Sequence, residues 1–327
     1  AGGTGLRRAP YLDCRCRLMS KIQEALKAMR DTSAGEGKKD LSKRQLQGNL
    51  AQRAARQIGV EPNELISDMK PLVEVSIDVD KLVELRMLPG HAEEAQVSRQ
   101  FRRIKRPILQ LAFDDDLPVE DNANVVMLAS ALPGSGKSFC ALNLARSIAM
   151  ERDFGVVLVD ADVLKPGISR ALGLQDEKGL IDCLLDPDLD VAEIIYGTDM
   201  NDMIVVPAGQ GHPEATELLA SRRMKSFIQG LAESYPNHVI VFDTPPLLLT
   251  SEAQVLAEQA GQIVLVVEDR KSSQDSLIRT MNMLDRSKPI NAILNKAHGA
   301  PASGYHSDDY GYYSSKAFYA RTGGSDE

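Results

Sequence analysis

A chain of 327 residues, 43% hydrophobic and 26% charged, can bury the core of one sizeable α/β domain and carry an appended segment, but is too short for three ordinary domains. That composition excludes a fibre, and with no run of 18 or more apolar residues the sequence predicts neither a membrane-spanning helix nor a secretory signal. The net charge of −8 conceals an asymmetry, since residues 1–60 hold 13 Lys/Arg against 5 Asp/Glu and the remainder 25 against 41. A basic arm and an acidic core follow, and the arm suits either solvent, anionic lipid or an acidic partner.

Met19 is a candidate native start, which makes residues 1–18 upstream sequence or an expression remnant. Ile22, Leu26 and Met29 recur at helical spacing in residues 19–30, and residues 31–60, rich in Lys, Gln, Ser and Gly, read as linker. Residues 19–91 as a whole form the expected basic arm. The main domain is expected over residues 92–298. It opens with a helical stretch at 92–111 that carries Arg99, Arg102, Arg103, Lys105 and Arg106 and is ended by Pro107. No nucleic-acid motif accompanies this run and an acidic core follows it, so a solvated face or a subunit contact is the better reading, and no nucleic acid is expected as partner.

From residue 124 short β-branched runs alternate with helical segments: residues 124–130, 155–160, 203–208, 238–243, 262–268 and 291–295. Continuous apolar runs of this length mark strands buried on both faces, and helices between them mark crossovers. The fold class is therefore α/β, a doubly wound, mostly parallel sheet. The four cysteines, Cys14, Cys16, Cys140 and Cys183, show neither a disulfide framework nor metal-ligand spacing and fit a reducing cytosol.

The segment from Ala131 to Ser138, ALPGSGKS, lies between the first of these strands and a helix, the context a phosphate-binding P-loop requires. Pro133, Gly134, Ser135, Gly136, Lys137, Ser138 and Phe139 make up the predicted nucleotide site. The two glycines let backbone amides turn inward, Lys137 reaches the β- and γ-phosphates of ATP, and the Ser138 hydroxyl binds Mg²⁺. Asp160 and Asp162 close the second strand. One serves the metal shell and the other orients or deprotonates a nucleophile, with the choice between them open. Asp243 ends the run VIVFD as a Walker B aspartate that holds Mg²⁺. Asn295, at the end of the last strand, either presents its amide to the base edge or forms a turn. His212, in a Gly/Pro loop, receives no role.

After Lys296 periodicity ceases, and Tyr305, Tyr310, Tyr312, Tyr313 and Tyr319 lie among Ser, Gly and Asp. So few aliphatic residues cannot build a core, and residues 299–327 read as a disordered tail.

These features resemble the bacterial tyrosine kinases of the MinD and ParA-like branch of P-loop ATPases over roughly residues 95–327. The resemblance rests on SALPGSGKS, LVDADVLKP, FDTPPLL, the PEATELL loop and the terminal tyrosines, in family order. The sequences MSKIQEAL and FRRIKRPIL are similar to those of soluble autokinases of exopolysaccharide and exosortase systems. The resemblance implies an ATP- and Mg²⁺-dependent protein-tyrosine autokinase, with Lys137, Asp160, Asp162 and Asp243 catalytic and the five tail tyrosines as acceptors on the same or a neighbouring chain. It further implies regulation of exopolysaccharide export, self-association, a cognate tyrosine phosphatase, and a membrane adaptor of the polysaccharide chain-length-determinant type that recruits a cytoplasmic protein to the inner membrane. Two departures stand out. The family's ExxRxxR pattern becomes Arg99, Arg102 and Lys105, and Lys165 replaces a frequent Arg. The rival is a partitioning or positioning ATPase, which usually carries an early P-loop lysine where this chain has Leu132 and Pro133. An adaptor that binds ATP without turnover is disfavoured by the three aspartates.

Overall fold

The computed structural model describes residue 71 and residues 73–113 and 122–297. The expectations for residues 1–60 and for the tyrosine tail lie outside the described residues. Among those described, β1 (Val73–Val75), α1 (Val79–Glu84) and α2 (His91–Phe113) lead into β2 (Val125–Ala129), α3 (Lys137–Ala149) and β3 (Gly155–Asp160). The chain continues through α4 (Gly167–Ala171), α5 (Leu180–Leu185), a 3₁₀ turn at Val191–Ile194, β4 (Tyr196–Thr198) and β5 (Met203–Val206). Then come α6 (Ala215–Leu219), α7 (Arg222–Ser234), β6 (His238–Asp243), α8 (Glu252–Gln259), β7 (Gln262–Glu268), α9 (Gln274–Met283) and β8 (Ile290–Asn295).

The eight strands pair in the order β1-β4-β5-β3-β6-β2-β7-β8. All neighbours are parallel except β4 and β5. The mostly parallel sheet expected from the apolar runs is thus the observed one. Alternation along each strand divides the core in two. Val125, Met127, Val157 and Val159 face a layer made by α5 to α9, while Val126, Leu128, Val156 and Leu158 face α2, α3 and α4. Leu142, Leu144 and Ile148 of α3 are wholly buried, each stabilising the fold by about 1.5–3 kcal/mol. Helix starts are fixed locally: Asp78, Ser221 and Ser273 accept from the amides of Lys81, Met224 and Ser276.

Three expectations need correction. The globular unit begins before residue 92, because β1 pairs with β4 and Ile77, Leu82 and Leu88 are buried in the core. Pro107 does not end its helix, which runs on to Phe113. The buried stripe of Phe101, Lys105 and Ile108 holds that helix to the core and outweighs the one amide that proline lacks. Finally, the basic run is not a uniformly solvated face. Arg99, Arg102, Arg103 and Arg106 are exposed, but Lys105 is 4% exposed. Its Nζ donates to the Ser147 carbonyl and pairs with Glu151 at 2.7 Å, so this lysine fastens α2 to the end of α3.

Candidate nucleotide site

The parallel register brings Asp160 opposite Asp243 and Leu128 opposite Asp243, so that three strand ends lie side by side at the carboxyl edge of the sheet. Backbone bonds then join the loops that leave this edge. Ala161 N donates to Asp243 O at 2.8 Å, Leu247 N to Ser130 O at 2.9 Å, and the Thr244 hydroxyl to Leu128 O at 2.8 Å. The P-loop therefore runs against the FDTPPLL segment along its whole first half.

Gly134 and Gly136 both have positive φ, 80° and 90°, which only glycine adopts without strain. They turn the loop into the amino end of α3, where successive amides and the helix dipole form an anion cradle. Lys137 is 7% exposed in the first turn of that helix. Leu132 and Pro133 stand exposed at the loop's outer rim. Phe139 contributes to the cradle only through its backbone, since its ring packs edge-on against Phe101 with centroids 6.3 Å apart.

Asp160 and Asp243 are completely buried. The Ser169 amide and hydroxyl each donate to Asp160 Oδ2 at 2.8 Å, and the same hydroxyl accepts from Ala208 N at 2.9 Å. Asp160 Oδ1 and both oxygens of Asp243 have no hydrogen-bond partner. Burial, and then the neighbouring Asp243, raise Asp160 to about 7. Burial likewise raises Asp243 to about 6, against the pull of Lys137 and of the Ser138 hydroxyl, which lies close but outside hydrogen-bond geometry. Asp162 is half-buried, accepts from Lys165 N at 3.3 Å, and is raised by burial while Lys137 opposes the rise. Asp243 and Asp162 are thus within electrostatic reach of Lys137 and of each other, and Asp160 is within reach of both.

Buried carboxylate oxygens without partners fit a site for a cation, because an unpaired buried charge is costly otherwise. Among the described residues no group of three or more His, Cys, Asp or Glu could hold a metal. Mg²⁺ needs only one or two carboxylates when phosphates complete its shell, and Ser138 with Asp243 and Asp160 suits that requirement. Cys140, one turn into α3, takes no part: burial, then Asp243, push its thiol up to about 12, so it stays protonated.

Asn295 does not face open space. Its Nδ2 donates to Ser135 O at 2.8 Å. The PEATELL loop is tied to α8 by the Thr216 hydroxyl, 3.0 Å from Oε1 of the buried Glu252. His212 only shapes its own loop, accepting from Glu214 N. Ser169, which the sequence alone does not single out, is a positioning residue for Asp160. Ser169→Ala should destabilise the protein by about 1–3 kcal/mol by leaving the Ala208 amide buried and unpaired, and should slow turnover about tenfold. Denaturant unfolding and a turnover assay check both, and wild-type values in each would refute the role.

Comparison with known proteins follows this geometry. The ParA family described as NUBPL iron-transfer P-loop NTPase matches residues 121–295. The tyrosine-protein kinase YwqD of Bacillus subtilis is 32% identical over 221 residues, which cover 67% of this chain and 87% of that protein. The tyrosine-protein kinase ptk of Acinetobacter johnsonii is 24% identical over 250 residues, 71% of this chain but 34% of the relative. The kinase domain of Escherichia coli ETK shares the fold, with a TM-score of 0.58 at 23% identity, covering 71% of this chain and 92% of the other.

Proposed function

The chain belongs to the bacterial tyrosine-protein kinases within the ParA-type P-loop NTPases, and on that premise we propose that it transfers the γ-phosphate of ATP to tyrosines of its own C-terminal segment. The observation that carries this reading is the set of buried carboxylate oxygens without partners, Oδ1 of Asp160 and both oxygens of Asp243, with Asp243 in the field of Lys137 at a glycine-formed cradle.

In this reaction the tyrosine Oη forms a bond to Pγ, the bond from Pγ to the β-phosphate oxygen breaks, and ADP leaves with the electron pair. Phosphoryl transfer asks the protein mainly to position groups and neutralise charge. The amides from Gly134 to Phe139 hold the phosphates, and Lys137 meets the charge that develops on the transferring group. Ser138, Asp243 and Asp160 would hold Mg²⁺, which would supply further neutralisation of the phosphates. A tyrosine hydroxyl has a pKa near 10, so its proton needs a nearby acceptor. Asp160 and Asp162 both suit that part, because their raised pKa values bring carboxylate basicity closer to neutrality.

Tyr305, Tyr310, Tyr312, Tyr313 and Tyr319 are the proposed acceptors, on the same chain or on a neighbouring copy. Each phosphate adds about −1.5 to −2 charge, so full modification of an acidic protein favours disassembly of associated copies. The exposed Arg99, Arg102, Arg103 and Arg106 are available for that self-association, whereas Lys105 is committed internally. Regulation of exopolysaccharide export through a membrane adaptor, reversed by a tyrosine phosphatase, completes the proposal. Among the described residues no helix is long and apolar enough to cross a membrane.

Incubation with Mg·ATP followed by peptide mass spectrometry tests the reading against Lys137→Met. Phosphates should accumulate between Tyr305 and Tyr319 in the wild type and fall at least about a hundredfold in the variant. Steady ADP release with an unmodified tail would instead identify a switch ATPase of the partitioning type.

A further inference from the structure

A loop that turns its amides inward around phosphate turns its carbonyls outward, and those carbonyls need donors of their own. The carbonyls of Gly134 and Ser135 are satisfied by two consecutive side chains at the end of β8. Asn295 Nδ2 donates to Ser135 O at 2.8 Å, and Lys296 Nζ donates to Gly134 O at 2.5 Å. Adjacent residues of a strand ordinarily point to opposite faces. Lys296 escapes that alternation because its φ is +54°, a left-handed conformation uncommon for a side chain of this size and worth explaining where it occurs. It brings both donors to bear on one loop.

Lys296 is itself held from the far side. Glu268, at the end of β7 and in register with Asn295, accepts from Lys296 Nζ at 3.1 Å through Oε1 and pairs with Lys271 at 3.3 Å through Oε2. Asp269 N donates to Asn295 O at 3.0 Å and fixes the strand end. The peptide whose oxygen belongs to Gly134 carries the Ser135 amide, and the peptide whose oxygen belongs to Ser135 carries the Gly136 amide. A donor on the carbonyl side of a peptide polarises its N–H, so this arrangement orients and strengthens two amides of the cradle.

We propose that Asn295 and Lys296, with Glu268 holding Lys296 in place, are positioning residues that brace the phosphate-binding loop from outside and act on nucleotide affinity through the phosphates, not through the base. The inference rests on nucleotide binding at this site.

Calorimetry with the full chain compares ADP and GDP binding to the wild type, Asn295→Ala, Lys296→Met, Lys296→Arg and Glu268→Gln, with thermal midpoints recorded for each. Lys296→Met and Asn295→Ala should each weaken ADP about tenfold and GDP by the same factor, leaving the ADP-to-GDP ratio at its wild-type value. Glu268→Gln should weaken both by a smaller factor, and Lys296→Arg should restore most of the loss, which separates bracing from general destabilisation. Unchanged ADP affinity in Lys296→Met overturns the proposal. A changed ADP-to-GDP ratio in Asn295→Ala overturns it too, and assigns that residue to the base. A wild type that binds neither nucleotide would sink the nucleotide reading itself.

Discussion

Asp243→Asn is expected to reduce tail phosphorylation by about 10²–10³-fold while making the nucleotide-free protein more stable. Both effects come from the same two oxygens, buried and without hydrogen-bond partners. In turnover they would offer a buried negative charge to a phosphate-bound cation, and asparagine offers half the oxygens and no charge. Without ligand the same charge is a liability. Burial raises Asp243 to about 6 from its ordinary 3.8, so the folded state holds a proton that the unfolded chain has released over that interval. A pKa raised on folding gives stability that is complete below the unfolded value and disappears as pH climbs through the folded one. The advantage of Asp243→Asn over wild type should therefore be absent near pH 4, emerge between about 4 and 6, and be fully present by pH 8. Urea unfolding at three pH values, with nucleotide and Mg²⁺ removed, reads this directly. An asparagine variant no more stable than wild type at pH 8 would show that the carboxylate is already compensated.

That conflict between folding and function also explains why the site was legible in the sequence. An aspartate that ends an apolar strand has no folding reason to be buried, so Asp160 and Asp243 stand out beside a GK[ST] loop, and the register brings them opposite one another. The long strands were equally readable, because runs such as QIVLVVE are buried on both faces of a parallel sheet. What escaped has a common physical character. The strands β1 and β4 are three residues each and one contains Gly197, too short for any period to register. Lys105 looks like its exposed arginine neighbours, and only the packing of α2 on α3 shows that its ammonium is sequestered. Ser169 lies nine residues beyond Asp160 on a separate helix, with nothing local to mark it. Glu268 could have been found. It ends its apolar run as Asp160 and Asp243 end theirs, and the same question, why a carboxylate stands there, leads to Lys296.

Gly136→Ala should lower ADP affinity at least about a hundredfold. Two independent costs meet at this position. The backbone has φ +90°, where an L side chain is strained by roughly 1–2 kcal/mol, and the new Cβ would lie 2.2 Å from Asn295 Nδ2. That nitrogen cannot yield without leaving the Ser135 carbonyl, so relief of the clash opens the brace around the cradle. Gly230 provides the contrast: it sits in the interior of α7 with nothing within 4 Å of its added Cβ, and Gly230→Ala should stabilise the protein by about 0.5–1 kcal/mol with ADP affinity unchanged. The two costs at Gly136 can be separated. In the double variant Gly136→Ala, Asn295→Ala the clash is gone while the φ strain and the lost brace remain, so its ADP affinity should recover to roughly that of Asn295→Ala less the strain, and the single effects should not add. Strict additivity in the calorimetric cycle would mean that Asn295 and the loop are uncoupled, and that the damage at Gly136 arises from backbone strain alone.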